Sequence, residues 1–104
     1  MAATIEMARQ YLGIDVDDDE MINANLSRAL AAAHALMLGA VGDDIETLLP
    51  GDPRIDELQL ALTADLYGNR STSAKAGTAE ARYIHSLEQQ LRLDHSRLKR
   101  EAEE

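Results

Sequence analysis

One stretch of this chain leaves little choice of fold. Across residues 18–38, Ile22, Leu26, Ala29, Leu30, Ala33 and Met37 fall at i, i+4, i+7, i+8, i+11 and i+15. That is one continuous apolar stripe at the period of an α-helix, whereas a half-buried strand needs alternation. Asp17, Asp18, Asp19 and Glu20 stand at its start, where carboxylates meet the positive end of the helix dipole. The Ala-rich run at 29–35 suits the close approach of a second helix. Ile and Val, which favour strands, total only eight in 104 residues, so an all-α fold is expected.

The rest of the chain divides into three more helical segments. Residues 4–12 carry Ile5, Ala8 and Leu12 at helical spacing, with Thr4 as N-cap candidate and Gly13 as terminator. Ile14, a lone apolar residue before an acidic run, is expected to anchor the turn by burial. Gly39, Gly42, Pro50 and Gly51 mark 39–52 as a connection. Its Val41, Ile45, Leu48 and Leu49 predict a short helical turn packed on the domain. Asp52-Pro53 is a helix start, an N-cap followed by proline at N1. The third helix then runs to about residue 69, with Leu58, Ala61, Leu62, Asp65 and Leu66 on one side and Leu60 and Tyr67 on another flank. Residues 71–78 are small and polar and read as a loop. In the last helix, 79–100, Ile84, Leu87, Leu91 and Leu98 are spaced almost as a heptad seam. Asp94 interrupts that seam, so the helix is expected to leave its own domain beyond Arg92. The expectation is a small four-helix bundle with long second and last helices: a helical domain over 1–93 and an interface-forming C-terminal extension over 94–104.

Composition limits what such a bundle can do. Ala and Leu supply 17 and 15 of the 47 apolar residues, with no Phe or Trp. Ala buries little area, so the core is expected to be thin and partly supported by neighbouring subunits. The absence of Cys excludes disulfides and thiolate metal sites. No apolar run reaches a membrane span, and Met-Ala-Ala-Thr-Ile-Glu lacks the regions of a signal peptide. A soluble protein with a cytosol-like synthesis compartment, without membrane contact, is expected.

Charge is unevenly distributed. Residues 1–69 hold 13 acidic and 3 basic side chains, residues 70–100 hold 3 acidic and 7 basic, and Glu101, Glu103 and Glu104 follow. A net charge of −9 argues against tight duplex binding, which relies on phosphate neutralisation. The split suits head-to-tail self-association, and equally suits two solvated faces.

No motif for chemistry stands out. Asp15-Val16-Asp17-Asp18-Asp19-Glu20 imitates the opening of a calcium loop, but Glu20 stands where glycine is needed and Leu26 where the bidentate glutamate belongs. A helix N-terminal cluster is the better reading. His34, His85 and His95 make no i, i+3 or i, i+4 pair, and no His-Glu-x-x-His string occurs. The serines lack a Gly-x-Ser-x-Gly elbow, and the glycines form neither a P-loop nor a dinucleotide fingerprint. No catalytic residue, metal site or cofactor is therefore expected. Arg82, Arg92, Arg97, Lys99 and Arg100 give the last helix a basic character. One reading is dipole complementation at a helix C-terminus, with Glu88–Arg92 as an i, i+4 pair. The other is docking onto an acidic protein surface. No aromatic residue lies within residues 92–100, which disfavours single-strand recognition.

Three strings carry more. Tyr11-Leu12-Gly13-Ile14-Asp15 is followed by the acids that open the second helix. Leu66-Tyr67-Gly68-Asn69-Arg70 closes a helix begun at Pro53. Leu87 with Gln89-Gln90-Leu91-Arg92 lies in the last helix. In this order and spacing, over residues 4–93, the chain resembles the small helical head–tail connector (adaptor, head-completion) proteins of tailed phages. The chain departs from many of them at Ala35-Leu36-Met37-Leu38-Gly39, which lacks their aromatic residues. The resemblance implies an adaptor ring, dodecameric in the particle, at the neck of a virion or gene-transfer particle. Such a ring binds the portal protein above and a stopper or tail-side connector below, and DNA passes through it without specific binding. The residues expected to make protein contacts are Asp17, Asp18, Asp19 and Glu20 on one side. On the other are Arg82, Arg92, Arg97, Leu98, Lys99 and Arg100, the acidic half of one copy packing beside the basic helix of the next. The alternative is a small acidic regulatory module, antitoxin-like or anti-repressor-like; an enzyme ranks last.

Overall fold

The computed structural model describes residues 3–14, 19–68 and 79–103. They form five helices: α1 (Ile5–Leu12), α2 (Glu20–Val41), α3 (Ile45–Leu48), α4 (Pro53–Gly68) and α5 (Ala79–Glu103). The fold is all-α with long second and last helices, and α3 is the short turn expected within the second connection. Asp15, Asp17, Asp18 and the loop at 71–78 lie outside the described residues.

Local chemistry sets the helix ends. Thr4 Oγ1 accepts from the Met7 N–H at 3.2 Å, satisfying one of the donors a helix leaves open at its start. At the other end of α1, Gly13 adopts φ 72° and ψ 29°. The Gly13 N–H reaches Gln10 O at 3.3 Å, and the Ile14 N–H reaches Arg9 O at 2.9 Å. This is a Schellman ending, which asks for a left-handed residue and so for glycine. Ile14 then packs on the core. Asp19 caps α2, its Oδ1 accepting from the Met21 and Ile22 N–H groups at 3.0 and 3.1 Å. Asp52 Oδ1 accepts from the Arg54 N–H at 2.9 Å, with Pro53 in the first turn of α4 where its missing donor costs nothing.

The second helix continues beyond the glycine expected to break it. It passes through Gly39 and ends at Val41, with the Gly42 N–H donating to Leu38 O. Glycine inside a helix costs only about 1 kcal/mol, and Gly39 is exposed while Val41 is buried. Burying Val41 one turn past Met37 outweighs that cost.

The bundle is organised around α4, which runs antiparallel to α2. Its N-terminal half, with Ile55 and Leu58, meets Met37 and Val41 of α2, Ile45 of α3 and Leu87 and Leu91 of α5. Its other half, with Leu60 and Tyr67, meets Leu26 and Leu30 of α2 and the α1 segment from Ala3 to Ile14. One end of the molecule is therefore built with α5 and the other with α1. Since α4 is enclosed on several sides, even its polar Gln59 and Thr63 are buried. Gln59 Nε2 donates to Leu30 O at 3.1 Å and its Oε1 accepts from the Ala3 N–H at 2.9 Å. Thr63 Oγ1 returns its proton to Gln59 O at 2.7 Å. The small residues of α2 serve this packing: Ala29 and Ala33 are buried, while Ala31, Ala32 and Ala35 face outward. The molecule measures 51 × 29 × 17 Å.

Candidate docking face on the C-terminal helix

The residues expected to make contacts fall into two groups at opposite ends of the molecule. Asp19 and Glu20 are exposed at the start of α2. The basic residues follow α5, whose Leu87 and Leu91 pack against the far end of α2. At about 1.5 Å per residue, the 22 residues of α2 put roughly 33 Å between its ends.

The basic group itself divides by helix face. One side is engaged with the chain's own α2–α3 connection. Arg92 Nε donates to Ala40 O at 2.7 Å, capping a carbonyl at the end of α2. One turn on, His95 Nε2 lies 2.6 Å from Asp44 Oδ1, and Lys99 Nζ lies 3.0 Å from Asp44 Oδ2. A carboxylate only accepts, so the histidine nitrogen facing it donates. Hydrogen bonds from His95 first and Lys99 second hold the Asp44 carboxyl at about 2. The same bond, with the charge of Asp44, pushes the Lys99 ammonium up. With its carboxylate turned outward, Asp44 begins α3 without a side-chain cap.

Glycine at 42 permits this arrangement. It takes φ 120°, and a Cβ there would lie 2.4 Å from His95 Nε2. Arg54 forms a second tie: its Nη2 is 2.7 Å from both Asp52 Oδ2 and Asp94 Oδ2. Its hydrogen bonds to Asp52, then Asp94, raise the guanidinium further above its ordinary value, and Arg54 lowers Asp52. A third tie is His34 Nε2 to Glu46 Oε1 at 2.8 Å, across α2 and α3. Burial pushes the Glu46 carboxyl up while the hydrogen bond and charge of His34 bring it down, and the net direction is down.

These contacts account for the interruption at Asp94. The apolar seam stops there because the facing residue is Arg54, not an aliphatic side chain. The helix beyond Arg92 is held on its own bundle through Asp94, His95 and Lys99, and Leu98 is half-buried. The expected Glu88–Arg92 pair is not among the ion pairs of the described residues, since Arg92 turns to Ala40 O. Sequence reasoning did not assign Asp44, His95, Arg54 or Gln59 to these contacts. The one signal available was the charged residue at 94 within the apolar seam, which demands an opposite charge on the facing helix.

The opposite side of α5 is outward-facing. Arg82, Gln89, Leu93, Arg97 and Arg100 recur at helical spacing and are all exposed, Leu93 by 68%. The two acids of α5 between Arg82 and Arg100, Glu88 and Asp94, are half-buried, so this face presents no fully exposed carboxylate over that span. Arg97 pairs within its own helix, with Asp94 at 3.8 Å and Glu101 at 3.3 Å, and exposed pairs of this kind hold side chains weakly.

Elsewhere there is little to suggest chemistry. A shallow hollow of about 260 Å³ between α2 and α4 is lined by Asn25, Arg28, Ala29, Ala32 and Leu66. Among the described residues no group of three or more His, Asp or Glu is placed to hold a metal ion, and no helix is long and apolar enough to cross a membrane. Comparison of the chain with protein-family models, curated proteins and solved structures finds no match.

Proposed function

We propose that this protein is a structural adaptor of a phage-like particle: copies of it form a ring between portal and tail and extend the channel through which DNA passes. The observation that carries the reading is the ordered set of three strings, taken with the places they occupy. Tyr11-Leu12-Gly13-Ile14 forms the Schellman ending of α1. Leu66-Tyr67-Gly68 closes α4, with Tyr67 packed on the α1 end. Leu91 and Arg92 join α5 to the end of α2, by burial and by the hydrogen bond to Ala40 O. Each string therefore has a structural duty in a scaffold, which supports a building block over a catalyst.

In this reading the portal above and a stopper or tail-side connector below are the protein partners. An acidic surface suits a DNA channel, because it repels phosphate and lets the duplex slide. The part of α5 beyond Arg100, which among the described residues makes no tie to the α2–α3 connection, is assigned to the portal side.

The test is deletion of the gene from a genome that produces particles. DNA-filled heads that fail to join tails are expected, with normal heads and normal tails accumulating separately. Undiminished yield of complete particles overturns the proposal. Truncation after Arg100 keeps the contacts of Asp94, His95 and Lys99 and is expected to weaken binding to a purified portal ring; unchanged binding removes the portal assignment of that segment.

A further inference from the structure

Helix α2 has the composition of a buried helix and an outward face that is not buried. Residues 21–41 carry one charged side chain, Arg28, besides the titratable His34, which is paired with Glu46. The outward positions Ala31, Ala32, Ala35, Leu36 and Gly39 are exposed, Leu36 by 53%, and none has a polar side chain. A helix apolar on all sides is normally covered on all sides, because a solvated face carries charges.

This face has a recess. The hollow of about 260 Å³ between α2 and α4 is lined by Asn25, Arg28, Ala29, Ala32 and Leu66. It is smaller than the roughly 300–1,000 Å³ of small-molecule sites and suits one anchoring side chain. Ala29 and Ala32 offer only methyl groups there, so another backbone can approach closely. Ala29 and Leu36 lie on one row of α2, two turns or roughly 10 Å apart, and the row leads from the hollow to the exposed leucine.

Charge selects the occupant. The cations of residues 1–69 are Arg9, Arg28 and Arg54. Arg9 donates to Asn23 Oδ1 at 2.9 Å, and Arg54 is held by Asp52 and Asp94. Arg28 is exposed at the hollow and has no hydrogen bond or ion pair among the described residues. The nearest acids along α2, Asp19 and Glu20, stand more than two turns back, roughly 12 Å along the axis. Asp65, beside Leu66 on α4, is half-buried and already partnered. Residues 69–78, which follow α4, contain no acid and no apolar side chain larger than that of alanine, so they can neither fill the hollow nor pair Arg28.

We infer that the α2–α4 hollow docks an amphipathic helix of a different protein. That helix inserts a large apolar side chain between Ala29, Ala32 and Leu66 and pairs a carboxylate with Arg28. A second apolar side chain, two turns along, covers Leu36; anchors at i, i+3, i+4 and i+7 are how a helix is read in a groove. The inference goes beyond the adaptor reading and does not rest on it.

Peptide probes test it. The probe is an Ala-rich peptide of about 18 residues, long enough to hold a helix, with Leu at i and i+7 and Glu at i−4 and i+3. Its twin carries Lys in place of both Glu. Fluorescence anisotropy at low salt is expected to show the Glu probe binding at least about tenfold more tightly than the Lys twin. Amide shifts on adding the Glu probe should centre on Ala29, Ala32, Leu36 and Leu66. Arg28→Glu is expected to reverse the order of the two probes. Ala32→Gln, which fills the hollow, should weaken both by about tenfold or more. Both positions are exposed. Failure of the Glu probe to bind overturns the inference, as do equal binding of the twins, an order that Arg28→Glu leaves unchanged, or shifts confined to other helices. Sedimentation velocity reads the competing occupant. Self-association of the unaltered chain that Ala32→Gln abolishes gives the hollow to a second copy and likewise overturns the inference. If circular dichroism shows that a variant has lost helix, Arg28→Gln and Leu36→Ser replace it, and discrimination and affinity unchanged by them are equally fatal.

Discussion

At the α5 end of the molecule, Met37, Val41, Ile45, Ile55, Leu58, Leu87 and Leu91 from four helices form one buried cluster. At the α1 end, the buried cluster consists of Ala3, Ala8, Leu26 and Leu60, and two of its four members have only a methyl group to bury. The first is also tied by charged contacts at Asp44 and Asp94, the second by the buried amide of Gln59. Apolar burial contributes in proportion to area, so the α5 end should hold the fold and the α1 end should open first. The same asymmetry places the less stable end of the molecule at the acidic start of α2.

The comparison is most directly broken at Leu91, which is fully buried. Leu91→Ala is expected to destabilise the whole domain by about 2–5 kcal/mol, the range for truncating a buried leucine. Denaturant unfolding would check this, with all probes shifting together. A loss below about 1 kcal/mol would mean that the α5 end does not govern stability.

Gly42→Ala comes next. A residue with a Cβ pays for the backbone at φ 120°, and that Cβ would displace His95 from its place over Gly42. Strained backbone of this kind costs about 1–3 kcal/mol. The expected signature is local as well as global: amide exchange should rise in α3 and in α5 beyond Arg92, while α1 is unaffected. A rise confined to α1 would reverse the comparison.

At the other end, Gln59→Leu keeps most of the volume but removes the acceptor of the Ala3 N–H. An unsatisfied buried donor costs about 1–3 kcal/mol. Exchange should accelerate at residues 3–14 before any change at α5. Equal acceleration at both ends would show that the two clusters open as one unit.

These differences also explain how much was legible in the sequence. The helices were, because their stripes and terminators are local: Gly13 ends α1 and Asp52-Pro53 starts α4. The partners of charged residues were not, because they depend on which helices become neighbours. Asp44 and His95 are 51 residues apart, and nothing near either position specifies the other. Gln59 was hidden for a related reason. Polar residues are expected outside, and only the enclosure of α4 from several sides buries this one. The candidate docking face was partly legible: the cationic helix was evident, but its division into a side engaged with the α2–α3 connection and an outward side needed the position of Asp44. Asp17 and Asp18, on the acidic side, lie outside the described residues.

The smallest effect expected is also the most specific, since it depends on pH. Asp44 titrates near 2 in the folded protein against an ordinary value of 3.8. A carboxyl lowered by folding stabilises the fold above its unfolded value and loses that contribution as pH falls through its folded value. The stabilisation is therefore complete above about pH 4 and lost toward pH 2. Lys99, raised by Asp44, contributes in the opposite sense: fully below its ordinary 10.5, with the contribution lost as pH rises from there through its higher folded value. Asp44→Asn removes the charge that both His95 and Lys99 meet, so it should lower the melting temperature at pH 7 by less than Gly42→Ala does. Near pH 2, where the native carboxyl is itself becoming protonated, the variant and the unaltered chain should melt nearly together. A difference that persists undiminished at pH 2 would show that Asp44 acts by shape rather than charge, and that the α5 end is held by packing alone.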